Sequence, residues 1–296
     1  MLLNIVRKVV HSHRERQIRA MQGQPGWRRV PAGFWMYIDP NEWLGKTVLM
    51  GYYESHLVHF IAQLCQSGDV CLDIGANQGY TALHMAKHVQ PDGRVLAVEP
   101  VPTTFERLRA NTERNHASSI ICLPYALGSR ETELMMWYDP SECGHASVHN
   151  RSSDQAYQVP VRVARGDQLI QEALTPDERG RILMMKIDVE GYEPEVLAGI
   201  ENTLREIQPV LWLEKHPNCL AQGGYSVKDL ITPLLKAGYQ LYEVAFRRSA
   251  VGIAHLTLLP AAIESEAFHS EFADIVAVAP RSRGWERLQS SRIEMG

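Results

Sequence analysis

The 296-residue sequence lacks any apolar run approaching the roughly 20 residues that a membrane-spanning helix needs. Its five cysteines are scattered and lack C-x-x-C spacing, which argues against a disulfide framework and a structural zinc site. The net charge of −4 gives no basic excess to support nucleic-acid binding. Hydrophobic residues make up 45% of the chain, enough for a large core. We therefore expect a cytoplasmic globular protein whose partners do not include nucleic acid.

Residues 70–80 have the pattern of a buried strand, a tight turn and the start of a helix. Gly75 and Gly79 would let the backbone approach a ligand, and the free N–H groups of the helix start favour negatively charged groups. The dinucleotide fingerprint needs glycines at its first, third and sixth positions, and Asn77 and Tyr80 break it. The turn thus favours an adenosyl cofactor over a nicotinamide dinucleotide.

A second apolar strand ends at Glu99, downstream of Asp73 on the first strand. A carboxylate at the tip of the second strand of such a unit is placed to accept hydrogen bonds from both ribose hydroxyls. Together, the glycine turn and Glu99 predict ligand binding rather than a purely structural turn.

From residue 70 onward, strands alternate with helices over short connections, which is typical of a doubly wound parallel sheet. The expected organisation is a lead-in or helical cap over 1–55, a ligand-binding domain over 56–282, and a loose C-terminal tail over 283–296. Residues 139–158, polar and longer than a connection requires, form a candidate substrate loop containing His145 and His149. A third core strand is expected over 120–127.

Residues 2–21 have the pattern of an amphipathic helix with a basic polar side. Such a helix could lie on a membrane surface, contact a dimer mate, or pack on its own domain. The sequence leaves these alternatives open.

Ligands in open parallel sheets bind beyond the carboxyl ends of the strands, so residues at those ends should converge. Most of the predicted strand ends are acidic. The residues at these ends are Asp73, Glu99, Ala126, Asp188 with Glu190, and Glu214 with His216.

These features resemble the FkbM-type S-adenosylmethionine-dependent methyltransferases, on the strength of residues 72–80, 98–102, 126–128 and above all 186–193. The resemblance implies a class I, Rossmann-like fold with a doubly wound seven-stranded sheet, mostly parallel with an antiparallel last strand. It also implies S-adenosylmethionine as cofactor. The expected cofactor-binding residues are Asp73, Gly75, Ala76, Asn77, Gly79, Glu99, Pro100, Ala126, Leu127 and Asp188.

Many methyltransferases of this class place an Asp near the end of the third strand to bind the adenine amino group. Here Leu123, Pro124 and Tyr125 offer no such side chain, so the adenine contacts are left open.

Methyl transfer from a sulfonium is an in-line displacement, so the protein must align the acceptor and remove its proton. For a hydroxyl acceptor a base or a metal must help, and Asp188, Glu190, Glu214 or His216 could serve. These residues could also form an oxygen-rich divalent-metal site, although no spacing demands one.

We therefore expect O-methylation of a small molecule or sugar hydroxyl, with Asp188 or Glu190 as base or orienter. An amine acceptor, a non-catalytic scaffold of the same fold, and a membrane-associated modifier of a lipid or glycan remain the alternatives.

Overall fold

The computed structural model describes residues 23–139, 156–248 and 254–296, with the backbone of 146–147. Within these ranges a nine-stranded sheet is flanked by helices on both faces, and a smaller four-stranded sheet stands beside it. No helix in these ranges is long and apolar enough to cross a membrane. The predicted amphipathic helix over 2–21 lies outside the described residues.

The strands are β1 (Gly26–Arg29), β2 (Trp35–Ile38), β3 (Val70–Ile74), β4 (Arg94–Val98), β5 (Ile120–Leu123), β6 (Ala126–Gly128), β7 (Thr132–Tyr138), β8 (Ala146–Ser147), β9 (Tyr157–Arg165), β10 (Ile182–Ile187), β11 (Val210–Lys215), β12 (Gln240–Arg248), β13 (Ala254–Pro260), β14 (Ala273–Val278) and β15 (Glu294–Met295). The helices are α1 (Trp43–Met50), α2 (Ser55–Leu64), α3 (Tyr80–Val89), α4 (Pro102–Arg114), α5 (Gly166–Ala173), α6 (Pro176–Gly180), α7 (Glu193–Gly199), α8 (Glu201–Glu206), α9 (Pro217–Gln222), α10 (Val227–Lys236), α11 (Glu266–Ser270) and α12 (Arg283–Ser290).

The large sheet has the order β15-β13-β12-β14-β11-β10-β3-β4-β5. Strands β3, β4, β5, β10 and β11 are parallel, and β14 runs antiparallel to both of its neighbours. The class I fold with its antiparallel late strand is confirmed, but seven strands is an undercount, because β13 and β15 extend one edge. Strand β15 has only two residues, too few to leave a period in the sequence.

The strand expected over 120–127 is divided between the two sheets. β5 ends at Leu123 in the large sheet, and β6 begins at Ala126 in the sheet of order β6-β9-β7-β8. Pro124 stands between them and has no N–H to continue a ladder. The division leaves Tyr125 at the junction of the two sheets.

The core lies on both faces of the large sheet, as expected for parallel strands. Strands β3 and β10 are buried along their whole length. One face packs against α2 and α3 through residues such as Phe60 and Met85. The other packs against α7 and α10 through residues such as Leu197 and Leu230. This packing fixes the carboxyl ends of β3, β4, β10 and β11 along one edge.

The C-terminal residues 283–296 are not loose, so that expectation was wrong. Leu288 of α12 is fully buried, and both Arg283 and Arg287 contact the buried carboxylate of Asp69, directly before β3. The sequence did not reveal this packing. Arginines that pair with an acid far away in the sequence have the same local pattern as arginines in a solvent-exposed tail. The domain boundaries themselves remain predictions.

Candidate active site

The turn after β3 is fastened to two neighbouring strand ends. Gly75, with φ of +77°, passes so close to the segment after β10 that a Cβ would lie 1.9 Å from the carbonyl oxygen of Asp188. The N–H groups of Gly75 and Ala76 both donate to the carbonyl of Val98, at 3.0 and 2.9 Å. Only glycine fits at this position, and it brings the predicted cofactor turn against the predicted catalytic segment.

Glu99 holds the same turn through its side chain. Its Oε2 accepts the N–H of Asn77 at 2.9 Å, and its Oε1 accepts the N–H of Val101 at 2.9 Å. Burial raises the pKa of Glu99 to about 7, against the opposing effect of these two hydrogen bonds. Each carboxylate oxygen has a second lone pair, so Glu99 can still accept hydrogen bonds from a ligand.

A cavity lies beyond the carboxyl ends of the strands, the position at which ligands bind in open parallel sheets. Asp188 and Glu190 of the predicted catalytic set line it. The predicted cofactor residues that line it are Gly75, Asn77, Glu99, Pro100, Ala126 and Leu127.

The remaining predicted cofactor residues lie around this cavity rather than in its wall. Ala76 lines a smaller cavity of about 240 Å³ next to it. Gly79, with φ of +88°, is the N-cap residue of α3, and a Cβ there would lie 2.6 Å from a methyl group of Leu108. Gly79 therefore permits close helix packing. Asp73 is fully buried beneath the turn.

The fit to an adenosyl cofactor can be tested on Asn77. Within the described chain its buried Oδ1 has no hydrogen-bond partner, although the residue lines the main cavity. A buried acceptor without a partner is costly, so a donor from a bound ligand is expected there. Asn77 also has φ of +49°, a conformation found preferentially at functional sites. The residues present thus suit a cofactor with hydroxyl and amino donors.

Lys186, which our reading of the sequence left without a role, connects the two halves of the site. Its buried Nζ lies 3.1 Å from Asp188 Oδ2 and 3.4 Å from Asp73 Oδ1, and it donates to the carbonyl of Gly75 at 2.9 Å. Burial lowers the pKa of Lys186, but the neighbouring groups, with Asp188 and Asp73 the strongest of them, together raise it well above its ordinary value, so the ammonium group stays charged. In the sequence, the sign of this role is a single lysine in an otherwise apolar strand.

The turn after β10 has an unusual backbone, held by a buried acid. Glu190 has φ of +57° and Gly191 of +97°, and a Cβ on Gly191 would lie 2.4 Å from the carbonyl oxygen of Cys219. Glu193 Oε1 accepts the N–H groups of Val189 and Gly191 at 3.1 and 3.2 Å. Burial raises the pKa of Glu193 to about 7. Glu193, in the first turn of α7, therefore positions Glu190.

Three acidic side chains converge beside the cavity. Carboxylate oxygens of Asp188, Glu190 and Glu214 lie within 4.8 Å of one another. Burial raises the pKa of Glu214 to about 10, and the charges of Asp188 and Glu190 add to this effect. Glu214 is therefore protonated at neutral pH and can donate a hydrogen bond. The three groups could also serve as oxygen ligands for a hard divalent cation.

His216 is not brought into this cluster. Its Nδ1 accepts the N–H of Cys219 at 3.4 Å, which caps α9, and its ring lies 5.4 Å from that of Phe272. The geometry accounts for His216 as a helix cap. His145 and His149, with most of the predicted substrate loop, lie outside the described residues.

Part of the cavity wall was missed from the sequence. Leu134, Met136 and Tyr138 alternate along β7, which places them on one face, and all three line the cavity. Tyr53, two residues before the start of α2, and Tyr192 complete this apolar wall. The period-two alternation of β7 can be read from the sequence. The sequence does not indicate that this face of the strand lines the cavity.

The chain was compared with known proteins. The family model for the methyltransferase FkbM domain matches residues 73–241. Hexuronic acid methyltransferase AglP of Haloferax volcanii is 29% identical over 182 residues, covering 62% of this chain and 67% of that protein. The 31-O-demethyl-FK506 methyltransferase FkbM of Streptomyces tacrolimicus is also 29% identical, covering 62% of this chain and 82% of that protein.

Among solved structures, methyltransferase FkbM from Methylobacillus flagellatus aligns with a TM-score of 0.40 and 17% identity, covering 71% of this chain and 43% of that chain. The family match spans more than half of the sequence and contains the glycine turn, Glu99 and the segment after β10. The chain therefore belongs to the FkbM family of S-adenosylmethionine-dependent methyltransferases.

Proposed function

We propose that this protein transfers a methyl group from S-adenosylmethionine to a hydroxyl oxygen of a small molecule or sugar. The observation that carries the proposal is the convergence of Asp188, Glu190 and Glu214 beside the cavity. A hydroxyl has a pKa far above 7, so a neighbouring group must take its proton as the new C–O bond forms. The bound cofactor supplies a methyl group on an electrophilic sulfonium. The names of the AglP and FkbM relatives support this reaction class.

The three acids are proposed to have different tasks. Asp188 is ion-paired with Lys186, which fixes the orientation of its carboxylate. It is suited to accept a hydrogen bond from the acceptor hydroxyl and so align the oxygen. Glu190 would take the proton, and the protonated Glu214 beside it would donate a hydrogen bond to whichever carboxylate is charged.

The charges at the site favour a neutral acceptor. In the described part of the chain the cavity is lined by Glu99, Asp188 and Glu190, but by no Arg or Lys side chain. An acceptor carrying its own carboxylate would be repelled unless a cation lay between. We therefore propose an uncharged polyol, sugar or aglycone hydroxyl, and do not carry over the hexuronic acid named for AglP. Tyr138 and Tyr192 of the wall would pack on its apolar face.

The test is a radiolabel transfer assay from S-adenosyl-[methyl-³H]methionine to a panel of neutral sugars, phenols, hexuronic acids and primary amines. The methylated atom is identified by NMR of the product. We expect an O-methyl product on a neutral acceptor. An N-methyl product, or a clear preference for hexuronic acids, would contradict the proposal.

Variants then test the roles. Glu190→Gln should lower kcat by about 100-fold or more, the usual range for a general base, with little change in S-adenosylhomocysteine affinity. Asp188→Asn should lower kcat by about 100-fold, because the acceptor oxygen loses its alignment. Glu201→Gln, at an exposed position on α8, is the matched control and should be unchanged. A chelator is the last arm. If EDTA abolishes transfer and Mg²⁺ restores it, the three acids hold a metal and the base assignment falls.

A further inference from the structure

The part of the cofactor site that would bind adenine lacks an acidic or amide side chain for the adenine amino group. Residues 123–125, at the end of β5, provide no acidic or amide side chain for the amino group of adenine. The adenine and the sulfur of S-adenosylmethionine lie on opposite sides of the ribose. Pro100, Thr104 and Tyr125 line the same cavity as Glu99 and Asp188. With the methyl group facing Asp188 and the ribose bound by Glu99, we place the adenine beside these three residues.

The ring of Tyr125 forms a partition at this end. It lines the main cavity, and it also lines a separate surface groove together with Thr132, Arg162 and Arg165. On the groove side the guanidinium carbon of Arg162 lies 5.0 Å from the centre of the Tyr125 ring, a cation–π contact. Arg162 lines the groove and not the main cavity, so it leaves the cavity side of Tyr125 for a ligand.

The fold explains why these two residues meet. Tyr125 directly follows Pro124, where the chain leaves the large sheet, and Ala126 begins β6. In the parallel pair of β6 and β9, Ala126 is opposite Val163. Tyr125 and Arg162 each stand one residue earlier, so the same register places them side by side. The contact is thus built into the junction between the two sheets.

We propose that Tyr125, supported by Arg162, is the adenine platform of this enzyme. The base stacks on the cavity side of the ring and is recognised by its flat face, rather than by a hydrogen bond from an acidic side chain to its amino group. The guanidinium group withdraws electron density from the ring, which suits stacking on an electron-rich purine. The inference extends the cofactor site and does not depend on which acceptor is methylated.

The first test is calorimetric titration of the full chain with S-adenosylhomocysteine. Tyr125→Ala should weaken binding about 10- to 100-fold, the range for loss of one base-stacking aromatic residue, whereas Tyr125→Phe should stay within about threefold of wild type. Arg162→Met should weaken binding a few-fold. Arg165→Met, in the same groove without a ring contact to Tyr125, should not. A Tyr125→Ala protein that binds as tightly as Tyr125→Phe would overturn the proposal.

A second measurement needs no substitution, so it stands even if Tyr125→Ala fails to fold. Wild-type protein is titrated with S-inosylhomocysteine, in which a carbonyl replaces the adenine amino group. Stacking predicts an affinity within about tenfold of that for S-adenosylhomocysteine, whereas a site built on polar contacts rejects such analogues by about 10⁴-fold. Rejection of that size would overturn the proposal. Neither titration contains an acceptor, so failure here is distinct from failure of the proposed O-methyl transfer.

Discussion

Lys186 and Asp188 face each other at the end of β10, with Nζ 3.1 Å from Oδ2. The same ammonium group lies 3.4 Å from Asp73 and donates to the carbonyl of Gly75. One buried cation therefore joins the acid proposed to align the acceptor with the turn that holds the cofactor. Because methyl transfer requires acceptor, carbon and sulfur in line, this shared anchor bears on catalysis as well as on stability.

Replacing Lys186 with Met should lower the free energy of unfolding by about 3–5 kcal/mol, because it leaves Asp73 fully buried without its cation. Urea unfolding at pH 7 measures the change. Lys46→Met, at an exposed position of α1, should change stability by no more than about 0.5 kcal/mol. The double variant Asp73→Asn/Lys186→Met should recover part of the loss, since the fully buried side chain at position 73 is then neutral. If Lys186→Met is as stable as Lys46→Met, the ion pair between Lys186 and Asp73 does not stabilise the fold.

Glu99→Gln should weaken S-adenosylhomocysteine binding by about 10- to 100-fold, because an amide cannot accept both backbone N–H groups and two ribose hydroxyls at once. Calorimetry measures the dissociation constant. Glu106→Gln, on the exposed side of α4, is the matched control. Unchanged affinity in Glu99→Gln would mean that Glu99 only fastens the turn.

Glu214 should make stability depend on pH in a defined direction. Its pKa is raised from an ordinary value of 4.5 to about 10 in the folded protein, chiefly by burial. The folded state keeps the proton that the unfolded state releases above pH 4.5. Its favourable contribution is therefore complete below that pH and declines as the pH rises toward 10.

Glu214→Gln removes this dependence, so the variant should be more stable than wild type at pH 8 by about 1 kcal/mol or more and nearly equal to it at pH 4.5. Paired urea titrations at the two pH values measure it. A difference that is the same at both would show that Glu214 is not held protonated. Repeating the pH 8 titration with added Mg²⁺ distinguishes the metal alternative, which predicts stabilisation of wild type alone.

Much of the cofactor side could be predicted because it is local in sequence. The turn at Gly75 and the acid at Glu99 belong to one strand-helix-strand unit, whose geometry places its strand ends together. The pairing of Lys186 with Asp73 depends instead on the register between β10 and β3, which no local period reveals. The contact between Arg162 and Tyr125 likewise depends on strand register, here that of β6 with β9.

Two other side chains lie in positions that the sequence pattern did not indicate, for a related reason. His216 follows an acidic strand end, which suggests chemistry, but its ring is used to cap α9. Glu193 sits in a helix's first turn, which suggests a dipole effect, but its carboxylate holds the turn that carries Glu190. In both cases the residue type and its position can be read from the sequence. The direction of the side chain cannot, because tertiary packing determines it.

The docking of α12 gives the last prediction. Asp69 is fully buried directly before β3, where its carboxylate contacts Arg283 and lies 2.9 Å from Arg287, and it also accepts the N–H of Gln66 at 2.7 Å. Asp69→Ala should therefore lower the free energy of unfolding by about 3–5 kcal/mol, because two arginines lose a shared buried partner. It should also speed amide hydrogen exchange in α12, since the helix loses its attachment to the sheet.

Asp177 provides the comparison for Asp69, because it pairs with Arg181 at the surface and its side chain is 83% exposed. Exposed pairs contribute little, so Asp177→Ala should cost no more than about 1 kcal/mol and leave exchange in α12 unchanged. Urea unfolding and exchange followed by mass spectrometry on both variants measure the contrast. Equal losses in the two variants would mean that the C-terminal residues are held by apolar contacts such as Leu288, with the arginines contributing only as surface charges.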